Sequence, residues 1–330
     1  MKQEPPFSIQ IELTEGCNLM CDFCGIHGIR KKAGDYHYMS LKTANSIAML
    51  IKLSGWNPRI EFAMHGEPTL NPMLFDIILT FRKILPTQQL MMTTNGITLL
   101  KQYKHSQDQP IEWLFKNGLN IIAIDDYGHK AVQELKLIFP EALKYPKDKN
   151  ASPHKRWPKG THKIIFIQDL RNAKGGGHST LVNHCGAAGR PLRFPMKARC
   201  ARPFRELSIR WDGNVALCCN DFRGEYKCGN VMDTKYLDTE GNVLDNIWQN
   251  NSFTSARALL YHKSRTFKPC NICNATSFRV GCLPDKLGKE TLPEPTEKDL
   301  LIARASSLGD PYTPIVKRSW EEDNNACFWR

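Results

Sequence analysis

The chain has 330 residues and a mass of 37.7 kDa, room for one large domain or two modest ones around a sizeable core. Hydrophobic residues make up 41% and charged residues 24%, and 45 Lys+Arg against 33 Asp+Glu leave a net charge of +12. That balance excludes a disordered chain, a fibrous repeat and a coiled coil. No run of about 18 apolar residues occurs, so no membrane span is expected. The opening MKQEPPFSIQ lacks the apolar stretch of a signal peptide, and the expected location is the cytoplasm. Twelve cysteines in that reducing compartment point to metal binding or catalysis rather than disulfides. The basic excess points to an anionic partner such as nucleic acid, phosphate or an acidic metabolite.

The first predicted element is a strand over 7–13 (FSIQIEL), which runs straight into a cysteine group. A helix over 40–54 with Ser40 as its cap follows, then a strand at 59–64, a helix at 72–85 and a strand at 88–93. A helix near 109–117, a strand at 119–125, a helix at 129–138 and a strand at 163–168 complete the series. Strands alternating with helices imply βαβ units and a parallel sheet or partial barrel. A basic loop from Lys144 to Lys163 carries prolines at 146, 153 and 158, and the glycine-rich RNAKGGGHST follows the last strand. Both read as flexible connection, with a substrate lid as the alternative. From residue 196 cysteines become dense, and strands at 207–211 and 214–218 flank the turn Asp212-Gly213, a hairpin pattern. A helix over 243–262 precedes Cys270 and Cys273, and in the tail from 284 Thr296 and Asp299 are spaced as a capping box.

Cys17, Cys21 and Cys24 read C-x3-C-x2-C at the end of the first strand. Three thiolates so close can fold round one metal centre, and on a four-iron cluster they leave one iron open to a substrate or cofactor. A zinc site needs a fourth ligand, which His27 can supply.

With Phe23 just before its last cysteine, the run from Cys17 to Cys24 resembles the radical S-adenosylmethionine (SAM) superfamily motif. His65-Gly66-Glu67-Pro68 resembles that family's Gly-Gly-Glu-Pro turn, with His65 in place of the leading glycine, and Thr93-Thr94-Asn95-Gly96 resembles its Thr-Asn-Gly segment. The resemblance implies a [4Fe-4S] cluster on the three cysteines whose open iron chelates SAM. One electron from an external flavodoxin- or ferredoxin-like donor then gives methionine and a 5′-deoxyadenosyl radical that takes a substrate hydrogen. It further implies that Gly66 and Glu67 hold the methionyl amine and that Thr94 or Asn95 lies beside the ribose. Asp125 and Asp126 end a strand at the same rim and face cofactor or substrate, or else solvent.

The series Cys200, Cys218, Gly229-Asn230-Val231, Asn246-Ile247-Trp248 and Cys270-x2-Cys273 resembles the auxiliary-cluster extension called SPASM, or the shorter twitch domain. It implies a second [4Fe-4S] cluster on Cys200, Cys218, Cys270 and Cys273 with no open iron, suited to electron transfer. A four-cysteine zinc site is the alternative. The longer SPASM pattern C-x2-C-x5-C-x3-C is not completed, so one auxiliary cluster is expected. Cys185, Cys219, Cys228 and Cys282 are left over, as small buried apolar groups or as a third cluster. Cys219 is also a candidate radical-quenching donor, and Cys327 a free thiol in the tail.

The fold expected from this resemblance is α/β, a partial (β/α)6 TIM-like barrel over 1–195 followed by a small cysteine-rich hairpin and helix domain over 196–285. Residues 286–330 form a tail with a short helix. The substrate is expected to be anionic, a nucleotide or a nucleic-acid base. Residues 144–174 hold nine Lys/Arg against two acidic residues, and Arg190, Arg193, Lys197, Arg199, Arg202, Arg205 and Arg210 flank Cys200. His154 and Trp157 can stack on a base. A solvated basic surface is the alternative. A peptide-modifying enzyme and a dehydrogenase of an aminosugar-like metabolite are the other enzyme readings, the first less expected because the cluster begins at residue 17, with no room for a preceding peptide-binding domain. The non-enzyme reading is a zinc-stabilised nucleic-acid-binding protein.

Overall fold

The computed structural model describes residues 3–21, 23–29, 34, 36–105, 110–148, 151–152, 156–168, 182–188, 192–238, 242–275 and 292–308. The glycine-rich loop, His154, Arg190, Cys282, Cys327 and the side chain of His27 lie outside the described residues. The strands are β1 (Ser8–Ile11), β2 (Thr14–Glu15), β3 (His37–Tyr38), β4 (Arg59–Phe62), β5 (Leu90–Thr94), β6 (Ile121–Asp126), β7 (Leu143–Tyr145), β8 (Lys163–Gln168), β9 (Glu206–Ile209), β10 (Asn214–Ala216) and β11 (Lys227–Asn230). The helices are α1 (Leu41–Leu53), α2 (Leu74–Ile84), α3 (Ile97–His105), α4 (Pro110–Lys116), α5 (Lys130–Ile138), α6 (Arg202–Arg205), α7 (Val243–Trp248), α8 (Asn251–Tyr261) and α9 (Glu297–Leu308).

One nine-stranded sheet runs β11-β10-β9-β1-β4-β5-β6-β8-β7, parallel from β9 through β7. Its central strands are apolar on both faces: Ile121, Ile122, Ala123 and Ile124 are all fully buried, as a sheet covered on both sides requires. Helix α1 turns Ala44, Ile47, Ala48 and Ile51 inward at helical spacing, and Ser40 caps it by accepting from Thr43 N at 3.0 Å. Helix α2 buries Leu74, Ile77, Ile78 and Phe81, with Phe81 edge-on to Phe62 of β4 at 5.1 Å.

The sheet continues beyond β1. Strand β9 pairs with it in parallel, from Ser8↔Glu206 to Ile11↔Ile209, and β10 and β11 add antiparallel. The cysteine-rich hairpin therefore covers the edge that β1 would otherwise expose. Several elements go beyond the sequence reading. Helix α3 follows the Thr-Asn-Gly segment, where Asn95 Oδ1 accepts from Ile97 N at 3.0 Å. Short strand β7 lies at the start of the basic loop and pairs outside β8, and β2 with β3 and β11 are too short for a periodicity to register. The single helix expected over 243–262 is two, because Asn250 leaves α7 and caps α8 by accepting from Phe253 N at 3.0 Å. The capping box holds: Asp299 N donates to Thr296 Oγ1 at 3.3 Å and Thr296 N to Asp299 Oδ2 at 2.8 Å. Helix α9 packs on α8, with Ser255 Oγ donating to Asp299 Oδ1 at 2.9 Å. Among the described residues no helix is long and apolar enough to cross a membrane.

Candidate active site

The β2–β3 ladder pairs Thr14 with Tyr38 and Glu15 with His37, pinning both ends of the loop that carries the three cysteines. Inside it Cys24 N donates to Cys21 O at 3.0 Å, and Leu19 N and Asn95 Nδ2 point at Cys17 Sγ from 3.4 and 3.6 Å. The C-terminal ends of β4, β5 and β6 bring Met64–Glu67, Thr93–Asn95 and Asp125–Tyr127 to the same rim, where parallel barrels place their chemistry. All of these but Asp126 line one cavity of about 120 Å³ with Cys17, Cys21 and Cys24. Of the residues expected there, Gly66, Glu67, Thr94, Asn95 and Asp125 all line it.

Gly66 sits against the β2 backbone so closely that a Cβ would lie 2.0 Å from Thr14 O and 2.5 Å from Gly16 O. Met64, two residues earlier, takes φ +107°, a strained conformation for a side-chain-bearing residue. The Glu67 carboxylate is buried: Oε1 accepts from Thr69 N (3.1 Å), Thr69 Oγ1 (2.6 Å) and Thr94 Oγ1 (2.7 Å), and Oε2 from Asn95 N (2.8 Å). Burial pushes its pKa up against the pull of those donors. Asn95 also donates to Asn18 Oδ1 at 2.8 Å, tying the segment to the cysteine loop. Asp125 accepts from Tyr127 OH at 2.8 Å, and the Tyr127 ring lies 5.2 Å from Phe23. Asp126 turns the other way, accepting from Gly128 N, Gln133 Nε2 and Lys136, so of the acidic pair only Asp125 faces the cavity.

His65 stands where the family turn has glycine. Its Nδ1 pairs with Glu12 at 2.9 Å, its Nε2 lies 3.0 Å from the Cys219 carbonyl oxygen, and its ring lies 4.2 Å from Phe222. Burial raises the Glu12 pKa, but His65, Arg210 and the Trp211 N–H outweigh it and hold the carboxylate below its ordinary range. Arg210 also bonds Glu15, which reaches His37 at 3.5 Å. The barrel rim and the auxiliary hairpin are thus joined by a run of buried charge that the sequence reading did not foresee.

Cys200, Cys218, Cys270 and Cys273 lie in the segment before α6, just after β10 and in the turn after α8, and all four are buried. Burial pushes Cys200 up to about 11, as it pushes Cys17 up to about 12 and Cys24 to about 11. Thiols so placed ionise when a metal takes the proton's place. Arg265, 2% exposed, donates among the described residues only to the carbonyls of Ala198, Arg199 and Cys273. A buried guanidinium near Cys200, Cys270 and Cys273 fits an anionic centre that supplies the missing countercharge. Ala275 N points at Cys273 Sγ from 3.3 Å. Cys185, one of the leftover cysteines, packs with Cys273 and Ala275 in one buried cluster. Cys219 instead donates to Glu206 at 3.3 Å and accepts from Arg202 at 2.7 Å, and Cys228, on β11, is 1% exposed.

The basic residues around Cys200 prove largely structural. Arg199 donates to Tyr261 O, Arg202 to Glu206 and Arg210 to Glu15, leaving Arg193 and Lys197 exposed. Trp157 N bonds Gln89 at the start of β5, so this ring lies at the end of the barrel opposite the thiols and cannot stack on a base there.

Parallel barrel, rim cysteines and a second buried cysteine group define an iron–sulfur protein of the SAM-binding type. Residues 11–125 match the family model of the radical SAM superfamily, and residues 200–274 match that of an iron–sulfur cluster-binding domain, SPASM. The chain belongs to the radical SAM superfamily of enzymes and carries a C-terminal SPASM domain. These domains imply a [4Fe-4S] cluster, SAM and auxiliary iron–sulfur binding. The chain is 28% identical over 102 residues to the GTP 3′,8-cyclase of Yersinia pestis, covering 31% of this chain and 30% of that one. It is 33% identical over 100 residues to the probable GTP 3′,8-cyclase of Thermoplasma volcanium, covering 29% of this chain and 27% of that one. It thus spans only about a third of the curated relatives it matches. The crystal structure of BtrN in complex with AdoMet and 2-DOIA superposes with TM-score 0.61 at 19% identity, covering 83% of this chain and 95% of that one.

Proposed function

We propose that this chain cleaves SAM reductively and abstracts hydrogen from an anionic small molecule of the nucleotide class. The observation that carries the first part is the rim cavity itself, lined by three thiols, Glu67 and Asp125, with no Lys or Arg among the described lining residues. Such a cavity seeks a cation, and the ammonium and sulfonium groups of SAM are cations. Cys17, Cys21 and Cys24 hold the SAM-binding [4Fe-4S] cluster, and Cys200, Cys218, Cys270 and Cys273 the auxiliary one. When bound, cluster and SAM supply the one-electron cleavage that starts hydrogen abstraction.

The chain's own residues bind and orient. Glu67 Oε2, which among the described residues takes only the Asn95 N–H, keeps a lone pair for the methionyl amine. Gly66 leaves the backbone free to approach, Thr94 and Asn95 stand beside the ribose, and Asp125, fixed by Tyr127, faces ribose or substrate. The likeness to GTP 3′,8-cyclases supports a nucleotide. An external flavodoxin- or ferredoxin-like protein supplies the electron. The second reading, oxidation of an aminosugar-like metabolite, is favoured by the same cation-free lining with its Asp125–Tyr127 pair.

The test is anaerobic reconstitution of wild type and a Cys17/Cys21/Cys24→Ala triple variant. About eight irons per chain, falling by about four in the variant together with loss of 5′-deoxyadenosine formation from SAM and dithionite, is the expected result. Zinc in place of iron, with SAM left intact, refutes it. Nucleoside triphosphates and amino-cyclitols, added in turn, separate the two substrate readings by which class stimulates deoxyadenosine formation.

A further inference from the structure

We propose that a cationic cleft at the end of the barrel opposite the cysteines binds a small phosphate-bearing anion, at a site separate from the rim cavity. The cleft lies where the parallel strands begin: Asn57 precedes β4, Gln89 precedes β5, Asn120 precedes β6 and His162 precedes β8. Its volume is about 420 Å³, which is within the range of small-molecule sites. Arg82, Lys116, Arg156 and Lys159 line it, and no Asp or Glu is among the described lining residues. Among the described residues none of these four cations meets a carboxylate in an ion pair. Like charges gathered in a concave site raise the local potential and attract a mobile anion. Arg156 and Lys159 belong to the basic stretch 144–174, whose charge is not used by the rim cavity, with no Lys or Arg among its described lining residues.

The walls of the cleft are tied to one another. Arg82, near the end of α2, donates to Gln88 O at 3.0 Å, Gly118 O at 2.7 Å and Asn120 Oδ1 at 2.8 Å, joining the turns before β5 and β6. Asn120 Nδ2 donates on to Thr161 O at 3.2 Å, and Trp157 N to Gln89 Oε1 at 2.7 Å, which fixes the segment before β8. Arg156 lies over the Phe7 ring at 5.0 Å and donates to Asn57 O at 2.6 Å. The Arg82 donors are spent on neutral oxygens, so its charge is held in place but not cancelled. Lys116 and Lys159 are exposed and, among the described residues, make no side-chain hydrogen bond, which leaves two ammonium groups for a ligand. Fixed guanidinium charge and movable ammonium groups on one cleft suit a ligand that presents several charged oxygens at once, as phosphates do.

The test is equilibrium dialysis of the reconstituted full chain, with SAM present and reductant absent, against labelled inorganic pyrophosphate and, separately, labelled GTP. Wild type is compared with Lys116→Glu/Lys159→Glu and with Lys116→Gln/Lys159→Gln, which removes the charges without reversing them. The expected result is saturable binding that weakens with added salt and falls roughly tenfold or more in the Glu variant and less in the Gln variant. SAM affinity and the urea unfolding midpoint stay unchanged in both. Any GTP held at the rim is retained by the variants, so only the binding they lose is assigned to the cleft. Loss of both probes makes the phosphate group alone the ligand, and loss of GTP from a wild type that ignores pyrophosphate makes it a nucleotide. Binding of neither probe by wild type, or equal binding by wild type and both variants, overturns the proposal. So does a single-stranded oligonucleotide held through Lys116 and Lys159 when neither small anion binds, since the cleft is then a nucleic-acid groove.

Discussion

His65 Nδ1 stands 2.9 Å from Glu12 Oε1, with both side chains fully buried. The other ring nitrogen faces the Cys219 carbonyl at 3.0 Å. The ring therefore stands between a carboxylate of the first strand's end and a backbone carbonyl of the auxiliary hairpin. The residue that departs from the family's glycine thus bolts the SAM-side turn to the auxiliary hairpin. His65→Gly removes the ring from beside Glu12 and leaves Arg210 at 3.7 Å as its ion-pair partner, and breaking a buried polar contact of this kind costs about 3–5 kcal/mol. Urea denaturation checks this, and Glu12→Gln added to His65→Gly recovers part of the loss because the orphaned charge is gone.

Gly66→Ala places a methyl group 2.0 Å from the Thr14 carbonyl, and backbone atoms cannot move aside as a flexible side chain can. The turn must shift away from β2 and carry Glu67 with it. SAM affinity of the reconstituted protein, measured by equilibrium dialysis, is expected to fall at least tenfold, or ~1.4 kcal/mol. Iron content stays unchanged, since no cysteine lies on that turn.

Glu67→Gln replaces one acceptor oxygen with an NH2 group that must face either the Asn95 N–H or the donors of Thr69 and Thr94. One buried donor loses its partner, at a cost of about 1–3 kcal/mol. The midpoint of chemical unfolding reports that loss, and weaker SAM binding accompanies it if Oε2 holds the methionyl amine.

His184 is held to a pKa of about 4, by burial first and then by the charges of His65 and Arg202, whereas an unfolded histidine takes its proton near 6.5. Between those values the unfolded chain binds a proton that the native chain refuses. The stability this contributes is complete above pH ~6.5 and is lost as pH falls toward ~4, by up to ~3 kcal/mol. His184→Asn, which tolerates the left-handed backbone, removes this dependence, so the difference between wild-type and variant unfolding midpoints narrows or reverses from pH 7 to pH 4.5.

The chain by itself declared its chemistry. Cysteine spacing at 17, 21 and 24 and again at 270 and 273, the two rim turns and the alternation of apolar strands with amphipathic helices are local patterns, and local patterns are legible in one dimension. What only the tertiary structure decided are the partnerships that join distant segments. Arg199, Arg202 and Arg210 read as a basic surface until each is seen bonded inward, and Trp157 read as a stacking platform until its ring proved to be at the far end of the barrel. His65 read as a flaw in a motif until Glu12 and Cys219 were found on either side of it. Cys185 read as a spare until Asn183 and Asn274 were seen to clamp it beside Cys273, across about ninety residues of chain. A buried polar group is placed by whichever acceptor the packed fold brings to it, and no periodicity in the sequence records which one that is.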